Sequence, residues 1–321
     1  MEETKLVGTE AVSRSGRFVF PDKTERHATQ RTKFEQAKPV IEIVEPMDLE
    51  KMKFAMDSGL FQTLIEAARI LVSEFQLKFK PDGLYVVFVD SAHVAMERIF
   101  MPREAFQEYY LGDRYLTISL DVERLRDLKV KKSTGSITIS INEPKCETKT
   151  ERVKIDGLAH EYVSREYGTR EVYITFGNME RKFSTLDNNT LTIPRIPAIS
   201  TGNYVVVQTA DVRAFLEQAA RVSDSAKLTL AEDGLVMLSK SDTEEARVKL
   251  ERDRLKDIKL VDGRIASSYP VEYLAKFFSA IRKSADVKMS FNNDYPLQMD
   301  FLVGGMSDTS IVCLLAPRME Q

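Results

Sequence analysis

The residues of this sequence that could do chemistry do not converge on a catalytic pattern. Its three histidines, His27, His93 and His160, share no spacing with one another or with Cys146 and Cys313 that would make a metal site or an activated nucleophile. No phosphate loop, dinucleotide-binding turn or nucleophile elbow occurs, and Gly304-Gly305 reads as a hairpin turn. Carboxylates are plentiful but scattered, so an enzyme would have to assemble them by folding alone. What recurs is positive charge on amphipathic segments: Arg69 on the first, Arg124, Arg126, Lys129 and Lys131 in or near the second, Arg213 and Arg221 on the third, Lys276, Arg282 and Lys283 on or just past the fourth. On one helix such charges are a solvated face. On four helices sharing one side of a sheet they form a basic strip suited to salt-dependent, sequence-independent contact with phosphates.

The elements that must carry this strip are legible from periodicity. A short strand after Met52 leads into a helix over 59–75, with Leu60, Leu64, Ala67, Ala68, Leu71 and Phe75 on one face. Strands are expected at 76–80, 84–89 and 94–100, then at 116–120 before a helix over 121–131 with Asp121 as N-cap and Val122, Leu125 and Leu128 inward. A strand at 137–141, an inserted loop or hairpin over 143–170, and strands at 171–176 and 180–185 follow. The order then repeats: strand 204–209, helix 211–223, a strand at 265–268, helix 271–284, and strands at 287–291, 297–303 and 311–315. Glu66-Ala67-Ala68 stands before Asp82-Gly83-Leu84 much as Gln218-Ala219-Ala220 stands before Asp233-Gly234-Leu235, which marks an internal duplication.

The expected fold class is therefore α+β, two similar domains of antiparallel sheet with paired amphipathic helices. Residues 1–46 read as a polar, disordered extension, 47–185 as the first domain with its insertion at 143–170, 186–199 as a connector and 200–321 as the second domain. Translation could begin at Met1, Met47 or Met52. In the connector Pro194 and Pro197 disfavour helix, while Leu191, Ile193, Ile196 and Ile199 keep one side of an extended segment apolar. The formal charge of -3 excludes a generally basic nucleic-acid binder, so any contact with DNA must be local. Two cysteines fit a reducing compartment, and with no apolar run long enough to span a membrane and no signal-peptide pattern the protein is expected to be soluble and intracellular.

Val89-Asp-Ser-Ala-His-Val94, Val222-Ser-Asp-Ser225, Tyr295-Pro-Leu-Gln-Met-Asp300 and Leu314-Leu-Ala-Pro-Arg-Met-Glu320, in this order around the repeat and connector, resemble the proliferating cell nuclear antigen family of sliding clamps from about Met52 to the C-terminus. The resemblance implies a non-catalytic, cofactor-free DNA polymerase sliding clamp: a pseudo-sixfold ring of three subunits around duplex DNA, sheet outside and helices inside. It confers processivity and recruits polymerase, clamp loader, nuclease and ligase through short glutamine-anchored peptides. Its location would be cytoplasm and nucleoid in an archaeon, or the nucleus in a eukaryote. Carried onto this chain, the peptide pocket is Val89, His93, Leu191, Ile193, Pro194, Pro296, Leu314 and Ala316. The subunit contact sets 180–185, with Glu180, Arg181 and Phe183, against 243–250, with Glu244, Arg247 and Leu250.

The chain departs from the family in its N-terminal extension, its 143–170 insertion, Asp127 and Ser279 at helix positions usually basic, and Leu314 where an aromatic is usual. Two other readings stand beside this one. A subunit of a heterotrimeric or damage-checkpoint clamp differs in whether the purified chain closes on itself. A carboxylate-dependent nucleic-acid enzyme differs in having an activity that one Asp or Glu change abolishes.

Overall fold

The structure is a computed structural model describing residues 52–111, 115–131, 135–142, 146–155, 158–167, 170–188, 191, 199, 201–281, 284–303 and 309–319. In chain order the first half runs β1 (Lys53–Asp57), α1 (Ser58–Leu71), β2 (Glu74–Lys80), β3 (Gly83–Val89), β4 (Ala95–Pro102), β5 (Phe106–Tyr110), β6 (Leu116–Asp121), α2 (Val122–Arg126), β7 (Ser136–Ile141), β8 (Cys146–Ile155), β9 (Leu158–Tyr167), β10 (Glu171–Phe176) and β11 (Met179–Ser184). The second runs β12 (Tyr204–Gln208), α3 (Thr209–Val222), β13 (Ser225–Ala231), β14 (Gly234–Lys240), β15 (Glu245–Glu251), β16 (Asp257–Lys259), β17 (Ile265–Pro270), α4 (Val271–Ala280), β18 (Asp286–Ser290), β19 (Leu297–Val303) and β20 (Thr309–Leu315). With β8 and β9 set aside, the second half reproduces the first element for element.

The duplication extends to individual hydrogen bonds. Ser58 N donates to Gly135 O at 2.8 Å and Thr209 N to Ala285 O at 2.9 Å, tying each long helix to the strand that follows the short one. Val122 N to Ser73 O and Val271 N to Asp224 O start the two later helices, at 2.8 and 2.9 Å. Arg103 N to Asp82 O and Arg252 N to Asp233 O close equivalent turns, at 3.0 and 3.1 Å.

Three antiparallel sheets carry the repeat. One is ordered β11-β10-β7-β1-β5 and another β15-β14-β13-β17; the nine-stranded third, β16-β12-β18-β19-β20-β4-β3-β2-β6, runs through both halves. It is joined where β20 pairs with β4, from Ser310↔Phe100 to Leu315↔Ala95. Strand alternation turns one face of each sheet to the helices: β13 and β14 bury every second residue, and Leu228, Leu230, Leu235 and Met237 are inaccessible or nearly so. In the first half Phe54 stacks on Phe79 with ring centroids 3.9 Å apart.

The structure moves several expected boundaries. Helix α1 ends at Leu71; Phe75 lies at helical spacing from its apolar stripe but belongs to β2, opposite Leu120. Its start is fixed by Asp57, whose carboxylate accepts from Gly59 N at 2.9 Å and Leu60 N at 3.2 Å. Helix α2 stops at Arg126 with Asp127 as its C-cap, well short of Lys131, because Lys129 turns to φ +50° and Gln62 Nε2 holds Val130 O. Helix α4 ends at Ala280 with Ile281 as its C-cap. Helix α3 begins two residues earlier than expected, at Thr209, whose hydroxyl donates to Ser284 O at 2.6 Å. Strands β5 and β16 escape periodicity because each is short and follows a 3-10 turn, Arg103–Ala105 and Arg252–Arg254. The inserted segment is a hairpin, β8 against β9 from Cys146↔Tyr167 to Ile155↔Leu158.

The repeated Asp-Gly-Leu has a steric cause. Gly83 and Gly234 hold φ +147° and +144°, and a Cβ there would lie 2.2 Å from Met101 O and 2.1 Å from Leu250 O on the adjoining strand. Gly234→Ala is accordingly expected to destabilise the protein by at least ~2 kcal/mol, read as a lower denaturation midpoint.

Candidate functional site

The four helices pack side by side in the order α2, α1, α4, α3. Their apolar faces are buried: Leu60, Leu64, Ala67 and Ala68 in α1, Val122 and Leu125 in α2, Val212, Phe215, Leu216 and Ala219 in α3, and Val271, Leu274, Phe277 and Phe278 in α4. Val222 is half-buried. The opposite faces therefore form one continuous helical surface.

That surface is charged but locally balanced. Arg69 pairs with Glu66 and Arg126 with Glu123, each at 2.9 Å, and Lys276 pairs with Glu272. Such exposed pairs contribute under about 1 kcal/mol each, so their cations exchange partners easily. Arg124, Lys129 and Arg221 are exposed and carry no ion pair among the described residues. Arg213 is placed differently from the outward position expected of it. Its Nε donates to Phe278 O at 2.9 Å and its Nη2 to Ile281 O at 2.8 Å, which caps the end of α4 and locks α3 to it. Lys131 is exposed beyond α2. Arg282 and Lys283 lie outside the described residues. Asp127 is exposed at the end of α2, and Ser279 donates to Lys276 O at 2.8 Å. Where α1, α2 and α4 meet, a surface groove of about 440 Å³ is lined by Gln62, Arg69, Arg126, Lys129 and Ser279 among others.

On the other side of the nine-stranded sheet a small apolar cluster straddles the joint between the halves. Met96, Leu314 and Ala316 are buried in it, and Val89, Val94, Ile199 and Val312 pack against it. Val89, Leu314 and Ala316 are thus brought together, and Pro296 is buried beside Leu297 at the start of β19. Sequence reasoning did not single out Met96 and Val312, which strand alternation turns away from the main core, nor Val94, which touches both clusters. The connector enters this region along the sheet edge. Leu186 bridges to Ser119, Asn188 Nδ2 donates to Thr117 O at 2.8 Å, and Gln76 Nε2 donates to Asn188 O at 3.0 Å and Leu191 O at 3.5 Å. Leu191 is half-buried; Ile193 and Pro194 lie outside the described residues.

The loop between β3 and β4 owes its shape to Asp90. One carboxylate oxygen accepts from Val94 N at 2.8 Å and Ala95 N at 2.7 Å; the other accepts from Ala92 N at 3.2 Å. His93 takes φ +55°, and its N–H donates to Asp90 O. The second oxygen also accepts from Tyr273 Oη at 2.9 Å, which connects this outer-face loop to α4. Burial first, then the Asp90 bond, pushes the Tyr273 phenol up to about 12. Neither residue was singled out from sequence, although the motif's aspartate is the acceptor that its turn demands.

Two sheets end in uncovered strands. Glu180 and Arg181 are exposed and Phe183 is half-buried on β11; Glu244 and Arg247 are exposed on or just before β15, which starts two residues later than expected. Leu250 is buried in its own core. The edges of β6 and β17 are partly covered by bridges to Leu186 and Arg318, whereas β11 and β15 have no such cover among the described residues. Among the described residues no group of His, Cys, Asp or Glu is arranged to hold a metal ion, and no helix is long and apolar enough to cross a membrane.

A family profile described as "Proliferating cell nuclear antigen, N-terminal domain" matches residues 50–150. A DNA polymerase sliding clamp of Thermoplasma volcanium is 34% identical over 253 residues, covering 78% of this chain and 92% of the relative. Among solved structures, the A. fulgidus PCNA of a complex described as "C-terminal region of FEN-1 bound to A. fulgidus PCNA" superposes with TM-score 0.68 at 22% identity, over 84% of this chain and 99% of that one. PCNA of Thermococcus kodakaraensis gives 0.65 at 21%, over 83% and 99%. With the duplicated sheet, the helical row and the outer-face cluster in place, the chain belongs to the proliferating cell nuclear antigen family of DNA polymerase sliding clamps.

Proposed function

We propose that this clamp closes with two further copies of itself into a ring around duplex DNA, helices inward, and presents its outer-face cluster to glutamine-anchored peptides of replication and repair enzymes inside the cell. It acts by holding DNA and partners together, and no step of chemistry is its own. The reading divides it into domains at 47–185 and 200–321, joined by the connector at 186–199.

The observation that carries the ring is the register of the internal joint. The duplication makes β15 the equivalent of β4, through Gly83 and Gly234, and β11 the equivalent of β20, through the bridges of Leu186 and Arg318. Within the chain Val312 stands opposite Arg98, Leu314 opposite Met96 and Ile311 opposite Ile99. Transferred to β11 of one copy and β15 of the next, these become Glu180 with Arg247, Lys182 with Glu245 and Met179 with Val248. Two opposite-charge pairs and one apolar pair result, and Met179, 56% exposed in the single chain, gains a covering partner. Such self-complementarity favours a ring of identical copies.

DNA would be held by enclosure, with Arg124, Lys129 and Arg221 and the exchangeable Arg69, Arg126 and Lys276 making screened contacts to phosphates. The peptide's apolar plug would enter the Met96, Leu314 and Val312 cluster under the connector, with Leu191 and Ile193 as its roof.

Glu180→Arg or Arg247→Glu alone is expected to weaken self-association on the order of tenfold, and the two together to restore it, as followed by sedimentation. Failure of rescue rejects this register. Leu191→Asp with Ile193→Asp should reduce binding of a glutamine-anchored peptide more than about tenfold with the assembled mass unchanged; undiminished titration rejects the pocket. Replacing Arg124, Lys129 and Arg221 by Glu should lower DNA affinity and flatten its salt dependence, and identical salt slopes exclude these contacts.

A further inference from the structure

Glu97 lies in the middle of β4 with its side chain turned to the main core. It is 1% exposed, and neither carboxylate oxygen has a hydrogen-bond partner among the described residues. The residues opposite it are Phe88 on β3 and Cys313 on β20, both buried. Helix α1, packed on β4, buries Leu64, Ala67 and Ala68, while its charges Glu66 and Arg69 pair with each other at the surface. Helix α4, packed on α1, likewise pairs Glu272 with Lys276 on its outer side. Arg98, the next residue of β4, points to the opposite face of the sheet and is exposed; half-buried Asp300, on β19, is opposite Val312 on that same face. Among the described residues the titratable group that faces Glu97 is the Cys313 thiol, pushed up by burial, by Glu97 and by Asp300.

An ionised carboxylate in this place would be a buried charge with neither cation nor donor, whereas the neutral acid forfeits far less on leaving water. Burial pushes the Glu97 carboxyl up to about 8. The position also lies at the joint of the two halves, where β4 and β20 make the nine-stranded sheet continuous.

We infer that Glu97 is carried as the neutral acid and makes the joint between β4 and β20 proton-linked: opening the joint to water releases the proton, so rising pH favours opening. The direction follows from the two states. Between the ordinary glutamate value of 4.5 and about 8 the folded chain binds the proton and the unfolded chain does not. Stability is therefore undiminished below this window and falls as pH rises through it. The equivalent residue of edge strand β15 is Ala246, so the sensitivity is confined to the joint inside each chain.

The test compares the full chain with Glu97→Gln, which keeps the shape but cannot ionise, by denaturant unfolding from pH 5 to 8.5 at one protein concentration. The ratio of unfolding constants, wild type over variant, should rise by up to about tenfold per pH unit inside the window and level off above it. Infrared spectra of the wild type at pH 7 should retain a protonated-carboxyl band that disappears at pH 9; this measurement stands even if the variant does not fold. A pH-independent ratio, or no such band at pH 7, would mean that the carboxylate is ionised and solvated in the folded chain, and would overturn the proposal.

Discussion

The pairing of β20 with β4 is the interaction on which the rest of the molecule depends. It turns two duplicated halves into one continuous sheet. Because that sheet is unbroken, the helices on its inner side form a single row, α1 meeting α4 across the joint. The outer-face cluster has the same origin, since its floor takes Met96 from one strand of the pair and Leu314 from the other. Neither surface could be assembled by one half alone.

The charge distribution suits the role proposed for the helical surface. An acidic chain with a formal charge of -3 keeps cations on its helices but sets a glutamate beside three of them, Glu66 with Arg69, Glu123 with Arg126 and Glu272 with Lys276. A strongly basic groove would grip phosphates and resist movement. In the proposed ring, paired, exposed cations would give a shallow potential over which a polyanion can slide, and enclosure would supply the retention that the contacts do not. Arg213 illustrates the limit of counting charges, because its guanidinium is committed to the carbonyls that end α4.

Much of this was legible in the sequence. Apolar periodicity located the four helices and most strands, and the repeated Ala-Ala and Asp-Gly-Leu marked the duplication, which the matched turns at Gly83 and Gly234 express as backbone geometry. Helix ends were less legible. Phe75 continues the apolar rhythm of α1 although it sits in a strand, and nothing local announces that Lys129 leaves the helix to bring Val130 under Gln62. The family motif pointed to Val89, Leu314 and Ala316, but Met96 and Val312 emerge only once strand pairing fixes which face each residue takes. Asp90 is the clearest case of a residue visible as a motif but not as a cause. Its four acceptor contacts, three to its own loop and one to Tyr273, exist only in the folded chain.

The duplication also makes unequal what the ring reading treats as alike. Of the six strand-to-strand joints in a ring of three copies, three would lie inside chains, where the connector holds β4 and β20 near each other at a high effective concentration that dilution cannot lower. The other three would lie between chains and answer to mass action. One geometry would thus serve as a permanent weld and as a releasable clasp, and the fraction of chains held in closed rings would be a property of their concentration as much as of their structure.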